Sequence, residues 1–555
     1  MINNLFAHPA LPLVIGSLLI FLFKEKSNHI SIISILISLF ILIFITSNVD
    51  YVYMSNITAI NYFSYSKLAY LFCLVFLIMG LIGKLFSIYR DSYKEKAMVL
   101  LYISSAIFVL FSGDFLTLYI FWEIMAIAST MVIWSNNSRE SFSAGNRYLV
   151  MHLLGGMILL LGIIGLYVDT NDLQIRLLNL DTWYNWMILV GFLLNAGAPP
   201  FSQWIPDAYP EGSYSSTVFL SAYTTKTSVF ILIVTFAGSH VLMLIGIYMI
   251  MYGIVYALLE NDIRRILAYS IVNQVGFMIV GIGIGTELSI NGTAAHAFSH
   301  ILYKGLLLMS AGSVIYMINK RKCTDVGGLY KTMPITAICG IVGALAISAF
   351  PLTSGFISKS MIVDASIHEG MELIWLMLLV GSAGVFLHAG IKFPWFVFFH
   401  KDKKIITTDP PKYMKYAMII TSGICIFIGV WPELLYSILP YSVSFIPYTG
   451  NHVASQLHIL LFSALAFFIS LEYLERTLTI TLDIDFLYRD KIKYIKILVN
   501  FMSNMTARSI NYISFINLRK NFNSIENYLM KQTTVSVMLI IILITFTVSL
   551  IMNIS

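Results

Sequence analysis

The sequence predicts an all-α membrane protein that crosses the bilayer many times. Of its 555 residues, 58% are apolar and only 11% are charged, and the mean hydropathy is +0.83. A soluble chain of this length cannot bury so much apolar surface inside its own cores. Apolar segments of about 18 to 22 residues recur along the chain, and each is long enough to cross roughly 30 Å of hydrocarbon.

Hydropathy places about sixteen membrane spans along the chain. They are 9–23, 29–48, 66–88, 97–113, 115–135, 146–168, 183–222 (broken), 224–238, 240–258, 264–284, 290–316, 333–365 (broken), 372–398, 414–434, 455–472 and 533–552. The spans divide the chain into N-terminal helices, a core, further C-terminal helices, an amphipathic segment and a last span. The respective boundaries are 1–94, 95–400, 401–472, 473–532 and 533–555.

The distribution of Lys and Arg orients these spans. With the N-terminus outside, the basic loops "KEK", "RDSYKEK", "ENDIRR" and "HKDKK" all fall on the inside. Loops predicted to be outside, such as "DTNDLQIRLLNLDTW" and "GTELSING", contain few basic residues. This alternation follows the positive-inside rule and predicts a multi-pass protein of a bacterial inner membrane. The net charge of +6 lies in these short loops, so it does not indicate a nucleic-acid partner.

Two spans contain residues that interrupt a helix in mid-membrane. "NAGAPPFSQWIPDAYPEGSYSSTVF" has four prolines, Pro199 and Pro200 among them, and cannot be one regular helix. "ALAISAFPLTSGFISKSM" places Pro351 and Gly355 inside another span. Each break lies in the fourth helix of a five-helix unit, so both breaks have the same place in the fold.

The two five-helix units, 97–238 and 240–398, are predicted to form inverted repeats. Since each unit has an odd number of helices, the second runs through the membrane in the opposite direction to the first. Broken helices at corresponding positions of two inverted halves are typical of transporters and mark their ion path. The segment 473–532 then mixes polar and apolar residues, which suits either an amphipathic helix or a partly helical cytoplasmic connector.

Ionisable residues inside predicted spans are functional candidates, because each costs at least about 2.5–3.5 kcal/mol to insert. Glu123 lies near the middle of its span, where it either forms a structural ion pair or binds and releases a proton. Lys226 lies near the start of its span, and snorkelling to the surface is its alternative role. Lys359 follows the second break, where freed backbone groups and water are expected. Lys392 lies nearer the predicted cytoplasmic end, so snorkelling and proton transfer are both open.

His296, His300 and Lys304, in "HAFSHILYKGLLLM", are spaced four residues apart and therefore share one helical face. Histidine changes its charge nearest to physiological pH, so the stripe is predicted to pass protons. His296 is a weaker candidate for this relay, as is His152 in an earlier span. Two histidines without a third ligand do not favour a metal site. The four cysteines have no paired spacing and no nucleotide-binding motif occurs, so no cofactor is predicted.

Several motifs together resemble one family. "FWE", "WIPDAYPE", "LSAYTTKTSVF", "ALLENDIRRILAYSIVNQVGFM", "HAFSHILYKGLLLMSAGSV" and "ISAFPLTSGFISKSMI" are similar to motifs of the antiporter-like membrane subunits and occur in the same order. Respiratory complex I, membrane-bound hydrogenases and Mrp-type cation/proton antiporters share that family. The resemblance covers about residues 95–400 and is nearest to the D-type component of Mrp antiporters, with the complex I subunits as the near alternative.

The resemblance implies a fold, a set of partners and residue roles. The fold has about fourteen core helices with two inverted five-helix repeats, and here further spans and the amphipathic segment follow it. The implied partners are other membrane subunits of one complex, the lipid bilayer, protons and monovalent cations. By resemblance, the proton relay consists of Glu123, Lys226, His300, Lys304 and Lys359.

One position departs from the family pattern. Family members usually carry a lysine nine residues before the tryptophan that corresponds to Trp204, and here that position is Asn195. An asparagine cannot hold a mobile charge, so Glu123 loses its expected partner. Either Lys226 or His152 takes over that role, or the first half-channel works differently.

Arg264 and Arg265 stand where complex I subunits often have Lys–Arg. Arginine is always charged and makes a poor proton carrier, so both are interpreted as structural or gating residues, like the prolines and the glycine of the two breaks.

Three functional hypotheses follow. The first is a proton-translocating subunit of a multisubunit Na⁺ or K⁺/proton antiporter, with no catalytic centre of its own. The second is a proton-pumping subunit of a complex I-like NADH–quinone oxidoreductase or a membrane-bound hydrogenase. The third, suggested by Asn195, is a scaffold that retains the fold without transporting ions.

Overall fold

The computed structural model of the protein is almost entirely helical and describes residues 8–44, 51–54, 59–90 and 92–474. Within this described part, eleven helices are long and apolar enough to cross a membrane. The predicted class, an all-α polytopic membrane protein, is confirmed. The last span, 533–555, and all but the first two residues of the amphipathic segment lie outside the described residues.

The N-terminal part of the chain contains six helices and one hairpin. They are α1 (Leu11–Leu22), α2 (Ser27–Phe44, after a 3₁₀ turn at Lys24–Lys26), β1 (Tyr51–Met54), β2 (Ala59–Phe63), α3 (Lys67–Phe86), α4 (Tyr93–Phe111), α5 (Phe115–Trp134) and α6 (Arg139–Thr170). β1 and β2 pair antiparallel, with Met54 opposite Ala59. This hairpin lies between two predicted spans and is not predicted by the hydropathy pattern.

The middle of the chain contains both broken spans. Its elements are α7 (Trp183–Ala196), α8 (Trp204–Ala208, then a 3₁₀ turn at Tyr209–Glu211), α9 (Ser216–Ala222), α10 (Thr224–Phe236), α11 (Val241–Leu259), α12 (Ile263–Ile284), α13 (Glu287–Ile318), α14 (Pro334–Ile347, after a 3₁₀ turn at Leu329–Lys331), α15 (Ser354–His368) and α16 (Glu372–Val385). π-helical turns at Phe386–Lys392 and Trp395–Phe399 extend α16. The C-terminal described helices are α17 (Lys412–Val430), α18 (Pro432–Tyr436), α19 (Gly450–Ile469) and α20 (Leu471–Leu474).

The two repeats correspond residue by residue over their second and third helices. Asp114 caps the N-terminus of α5 with its side chain, and Asp262 caps α12 in the same way. α6 and α13 each have 32 residues and end on a left-handed asparagine, Asn171 and Asn319. Asp262 follows Asp114 by the same number of residues as Asn319 follows Asn171, so the two units align without an insertion over these helices. Since five spans lie between the start of α5 and the start of α12, the second unit is inverted relative to the first.

The breaks also correspond, although one boundary differs from the prediction. α7 and α14, the first halves of the two broken spans, each have 14 residues. The predicted boundary at residue 223 is present as an interruption at Tyr223, but residues 216–222 belong to the span Ser216–Phe236 and not to the broken span before it. The break itself is therefore the segment between Gly197 and Ser215, which begins with the cis peptide bond Pro199–Pro200. The prolines predict the break but not the point where the chain resumes its helix.

α11 and α12 pack closely because glycines face each other across their contact. A Cβ atom added at Gly246 would lie 2.6 Å from the carbonyl oxygen of Gly276, and one at Gly276 would lie 2.7 Å from that of Gly246. Such distances are shorter than any van der Waals contact. Small residues are the usual means by which membrane helices approach backbone to backbone. This contact fixes α12, which carries several residues of the site.

We expect Gly276→Ala to lower the melting temperature of the protein, because the added methyl group forces α11 and α12 apart. Overpacking of this kind costs about 1–3 kcal/mol. Gly423 in α17 is the matched control, because a Cβ atom there meets nothing within 4 Å. Melting of the purified protein in detergent measures both variants. Equal melting temperatures for Gly276→Ala and Gly423→Ala would contradict the close contact.

Candidate functional site

The stripe of three ionisable residues on α13 is completely buried. His296, His300 and Lys304 have no exposed surface, and α13 runs through them without interruption. The Lys304 ammonium donates to Ser270 Oγ at 2.8 Å and to the carbonyl oxygen of Leu267 at 3.2 Å, both on α12. Neutral oxygen atoms of the neighbouring helix therefore hold this lysine.

His296 links three helices through its two ring nitrogens. Its Nε2 lies 3.2 Å from Gln274 Oε1 on α12, and that oxygen also accepts the Tyr303 hydroxyl at 3.0 Å. Its Nδ1 lies 3.2 Å from Ser358 Oγ on α15, whose own proton is donated to the carbonyl oxygen of Ser354. Both ring nitrogens thus face oxygen atoms that can accept a hydrogen bond, an environment that suits a protonated imidazolium with its two N–H donors.

His300 lies between these groups, and neither of its ring nitrogens is bonded to a described residue. Its ring centroid lies 6.4 Å from that of His296 and 5.3 Å from that of Tyr303. Buried polar atoms need a partner, and internal water is the usual one. The surroundings of His300 therefore favour water between the members of the stripe.

The second break places Lys359 beside the free end of α14. A Cβ atom at Gly355 would lie 1.8 Å from the carbonyl oxygen of Ala346, so only glycine permits this turn after Pro351. The Lys359 ammonium donates to the carbonyl oxygen of Ile347, the last residue of α14, at 3.1 Å. The final carbonyls of a helix have no intrahelical partner and carry the negative end of its dipole. The break therefore creates the acceptor that Lys359 uses.

A cavity of about 330 Å³ extends from Lys359 towards the end of the helices predicted to be outside. The polar residues that line it include Lys359, Ser360, Asp364, Asn451, His452 and Gln456. Lys359 itself is buried, whereas Asn451 at the far end is exposed. The cavity is large enough for several water molecules and gives this lysine a polar route to the surface.

Lys226 occupies a similar position after the first break. It has no exposed surface, which rules out snorkelling within the described chain. Its ammonium donates to the carbonyl oxygen of Ser221 at 2.8 Å and to Thr225 Oγ1 at 3.0 Å. The interruption at Tyr223 leaves the last carbonyls of α9 free, and Lys226 binds one of them.

Glu123 is buried on α5 and receives no hydrogen bond from a described residue. It packs against Gly156 of α6, where a Cβ atom would lie 1.7 Å from Glu123 Oε1. One turn earlier on α6, His152 stacks edge-on against Trp204, with ring centroids 4.6 Å apart. The Asn195 amide lies beside His152. The residue that replaces the family lysine thus adjoins His152, one of the two groups expected to take over its role.

Lys392 has a different environment from the other lysines. It is buried, so the snorkelling alternative does not hold here either. Its ammonium donates to the carbonyl oxygens of Ala257 at 2.8 Å, Leu258 at 2.8 Å and Glu260 at 2.6 Å. All three ammonium donors therefore bind the C-terminal end of α11. This arrangement is a helix cap, and it suits a structural role for Lys392 better than a role in proton transfer.

The two predicted structural arginines contact the segments around the breaks. Arg264 donates to the carbonyl oxygens of Gly212 at 2.8 Å and Ser213 at 3.3 Å, and so fastens the end of the first break to α12. Arg265 lies 3.2 Å from Glu260 in an ion pair. These contacts are of the structural kind, while gating by either arginine stays a prediction.

A loop arginine that sequence reasoning missed strengthens the same connection. Arg321 pairs with Glu211 at 2.8 Å and also with Asp262. Burial alone would raise the pKa of Glu211, but its hydrogen bond with Arg321 and the nearby positive charges lower it below its usual value. The Glu211 carboxylate therefore stays ionised, and the ion pair ties the first break to the loop after α13.

Both histidines of the stripe lie within electrostatic range of buried lysines. The charges of Lys226 and Lys304 act on His300, and those of Lys226 and Lys359 act on His296. The roles of all these residues stay predictions. Sequence reasoning missed their neutral partners, which are Ser270, Gln274, Tyr303 and Ser358. Each of these partners is a polar residue within an apolar span, which the sequence does show. The sequence does not show which neighbouring side chain each of them contacts.

Comparison with known proteins identifies relatives of this chain. The family described as "NADH:quinone oxidoreductase/Mrp antiporter, TM" matches residues 112–386, about half of the chain. An uncharacterized protein of Methanocaldococcus jannaschii is 28% identical, over 59% of this chain and 72% of its own length. The D component of a Na(+)/H(+) antiporter from Alkalihalophilus pseudofirmus is 26% identical, over 69% and 85% respectively. The N component of an NADH-quinone oxidoreductase from Desulforudis audaxviator is 31% identical, over 53% and 62%.

Several other relatives are longer proteins, of which the match spans only 39–52%. Among solved structures, a chain of the membrane-bound sulfane sulfur reductase, an archaeal respiratory membrane complex, has a TM-score of 0.76 at 23% identity, covering 94% of this chain and 98% of the other. A chain of the Mrp complex from Dietzia has a TM-score of 0.69 at 18% identity, covering 82% and 98%. At these identities the likeness establishes the fold.

The cap formed by Lys392 generates a prediction about stability. We expect Lys392→Met to lower the melting temperature of the protein, because three buried carbonyl groups lose their donor. Each buried group left unpaired costs about 1–3 kcal/mol. Lys403→Met, at an exposed lysine, is the control and should melt like the wild type. A wild-type melting temperature for Lys392→Met, combined with altered transport, would instead make Lys392 a relay residue.

Proposed function

Because the chain belongs to the family of antiporter-like membrane subunits, we propose that it translocates protons within a multisubunit Na⁺ or K⁺/proton antiporter, as a component of the D type. It acts with other membrane subunits of one complex, as its structural neighbours do in theirs. The complex lies in the cell membrane, with the N-terminus of this chain outside. The chain carries the proton path and needs no catalytic centre of its own.

One observation carries this proposal, namely the buried line of proton-binding groups between the two breaks. Lys226, His300, Lys304, His296 and Lys359 are all at most 2% exposed, and the charges of the lysines act on both histidines. Burying so many ionisable groups in a membrane protein is costly, and they are retained where they carry ions. A scaffold without transport has no use for this arrangement.

The geometry suggests how a proton moves along the line. A proton on one group repels a proton on the next, because like charges interact strongly in a buried site. Binding of a proton to Lys304 therefore favours release of protons from its neighbours. His296 can accept a proton because both of its ring nitrogens face oxygen acceptors. From His296 the path leads by way of Ser358, the residue before Lys359, to the polar cavity.

A proton-pumping role in a redox complex is the second candidate. One observation favours it, the 31% identity to the N component of an NADH-quinone oxidoreductase. The proton path within this chain would be the same in both cases. The difference lies in what drives the path, cation exchange in partner subunits or electron transfer in them.

We expect Lys304→Ala to abolish Na⁺- or K⁺-dependent proton exchange by the complete complex in sealed vesicles. Removing the ammonium interrupts the line at its centre, and no other described side chain of α13 replaces it. Lys403→Ala, at an exposed loop lysine, is the matched control and should exchange protons like the wild type. Undiminished exchange by an assembled Lys304→Ala complex would show that the relay assignment is wrong.

The same vesicles separate the two candidate functions. An antiporter exchanges protons when only a sodium or potassium gradient is imposed. A redox-driven pump moves protons only after an electron donor and acceptor are added. Wild-type exchange that requires the redox couple and ignores both cations would replace the antiporter proposal by the second candidate.

A further inference from the structure

The inverted repeats allow the α13 stripe to be compared with its counterpart in the first unit. α6 and α13 have equal lengths and correspond at a constant offset along their whole course. At this offset the three members of the stripe correspond, in order, to Tyr148, His152 and Gly156. The first unit therefore has a histidine in the middle, a tyrosine in place of the first histidine, and no side chain in place of the lysine.

Glu123 fills the space that Gly156 leaves. Its Oε1 lies where a Cβ atom of residue 156 would be, so α5 supplies the ionisable group that α6 lacks. α5 and α6 run antiparallel, with Glu123 beside Gly156 and Ser129 beside Tyr148. His152 lies between these two contacts, with its ring centroid 4.0 Å from that of Tyr148. Glu123, His152 and Tyr148 thus form a second stripe of proton-binding side chains.

A chain of hydroxyl groups continues from this second stripe to the interruption at Tyr223. Tyr148 Oη lies 2.9 Å from Ser129 Oγ and 3.4 Å from Thr224 Oγ1. Thr224 Oγ1 lies 2.6 Å from Tyr102 Oη on α4. All four residues are at most 1% exposed. The chain therefore joins α4, α5, α6 and the start of α10 inside the protein.

The backbone around this chain favours one order in which the hydroxyls donate. Tyr102 Oη accepts the Thr224 N–H at 3.0 Å, which leaves its own proton free to be donated to Thr224 Oγ1. At the other end, Ser129 Oγ donates to the carbonyl oxygen of Met125 at 2.7 Å and accepts from Tyr148. When the order reverses, the Tyr102 proton has another acceptor, the carbonyl oxygen of Leu220 at 3.5 Å.

The chain ends beside Lys226. Tyr102 reaches the carbonyl oxygen of Leu220, and the Lys226 ammonium binds that of Ser221, the next residue of α9. The hydroxyl chain and the lysine therefore meet at the same free helix end. Lys226 is the lysine that is held at this helix end.

We propose that Tyr148, Thr224 and Tyr102 conduct protons between the Glu123–His152 stripe and Lys226. This inference rests on the proposed function and assigns a path to the half-channel that Asn195 leaves without its lysine. In one passage, each hydroxyl oxygen receives a proton from one neighbour and gives its own to the next, so no group is left ionised. The three hydroxyls then rotate back before the next proton.

Tyr148→Phe and Thr224→Val test this path in the complete complex, because each removes one hydroxyl and keeps the shape of the side chain. We expect each variant to lower proton exchange at least about tenfold, the scale of losing one proton-transfer group. The double variant should be no slower than either single one, since the chain is already interrupted. Tyr223→Phe is the matched control, because its ring packs against Tyr102 but its hydroxyl donates to the carbonyl oxygen of Phe76 and not to the chain.

The amount of assembled complex and its melting temperature are measured for every variant, so that exchange is compared per folded complex. Exchange within about twofold of the wild type by assembled Tyr148→Phe or Thr224→Val would overturn the inference, as would losses that add in the double variant. These results leave the proposed function intact as long as exchange by the wild type depends on Lys304. Absence of that dependence would instead contradict the proposed function itself.

Discussion

Two of the buried lysines, Lys226 and Lys359, are held by backbone carbonyls that a continuous helix would not leave free. Lys226 donates to Ser221 near the end of α9, and Lys359 donates to Ile347 at the end of α14. Those carbonyls lack an intrahelical partner and carry the negative end of the helix dipole, so they stabilise a cation where water is scarce. For these two lysines, a helix that ends within the membrane supplies the acceptor. At these two places the interrupted helix and the buried charge depend on each other.

The two repeats share one backbone but use it with different chemistry. In the second unit, the ionisable groups of the stripe all belong to α13, and Lys304 at its end is held by α12. In the first unit, Gly156 makes room for a carboxylate from α5, and neutral hydroxyls stand where charged or titratable groups would otherwise be. Asn195 alone suggested an inactive half-channel, whereas its position beside His152 favours a path built from other residues.

The sequence predicts the spans and both breaks because long apolar segments, prolines and charges inside spans are strong signals. It predicts the buried lysines for the same reason. The neutral partners, such as Gln274 and Thr224, are not predictable in this way, because polar uncharged residues occur in many spans and their contacts depend on how the helices pack. The start of the span at Ser216 was missed because the prolines mark where a helix stops, not where the chain resumes it.

Replacement of Lys359 by arginine tests most directly whether the carbonyl-bound lysines are mobile proton sites. Arginine keeps the positive charge and can donate to Ile347, and the adjacent cavity has room for its larger head group. It does not release its proton near neutral pH. The account predicts that the Lys359→Arg complex assembles and melts like the wild type but no longer exchanges protons in vesicles. Wild-type exchange by this variant would contradict it, because a fixed charge would then suffice.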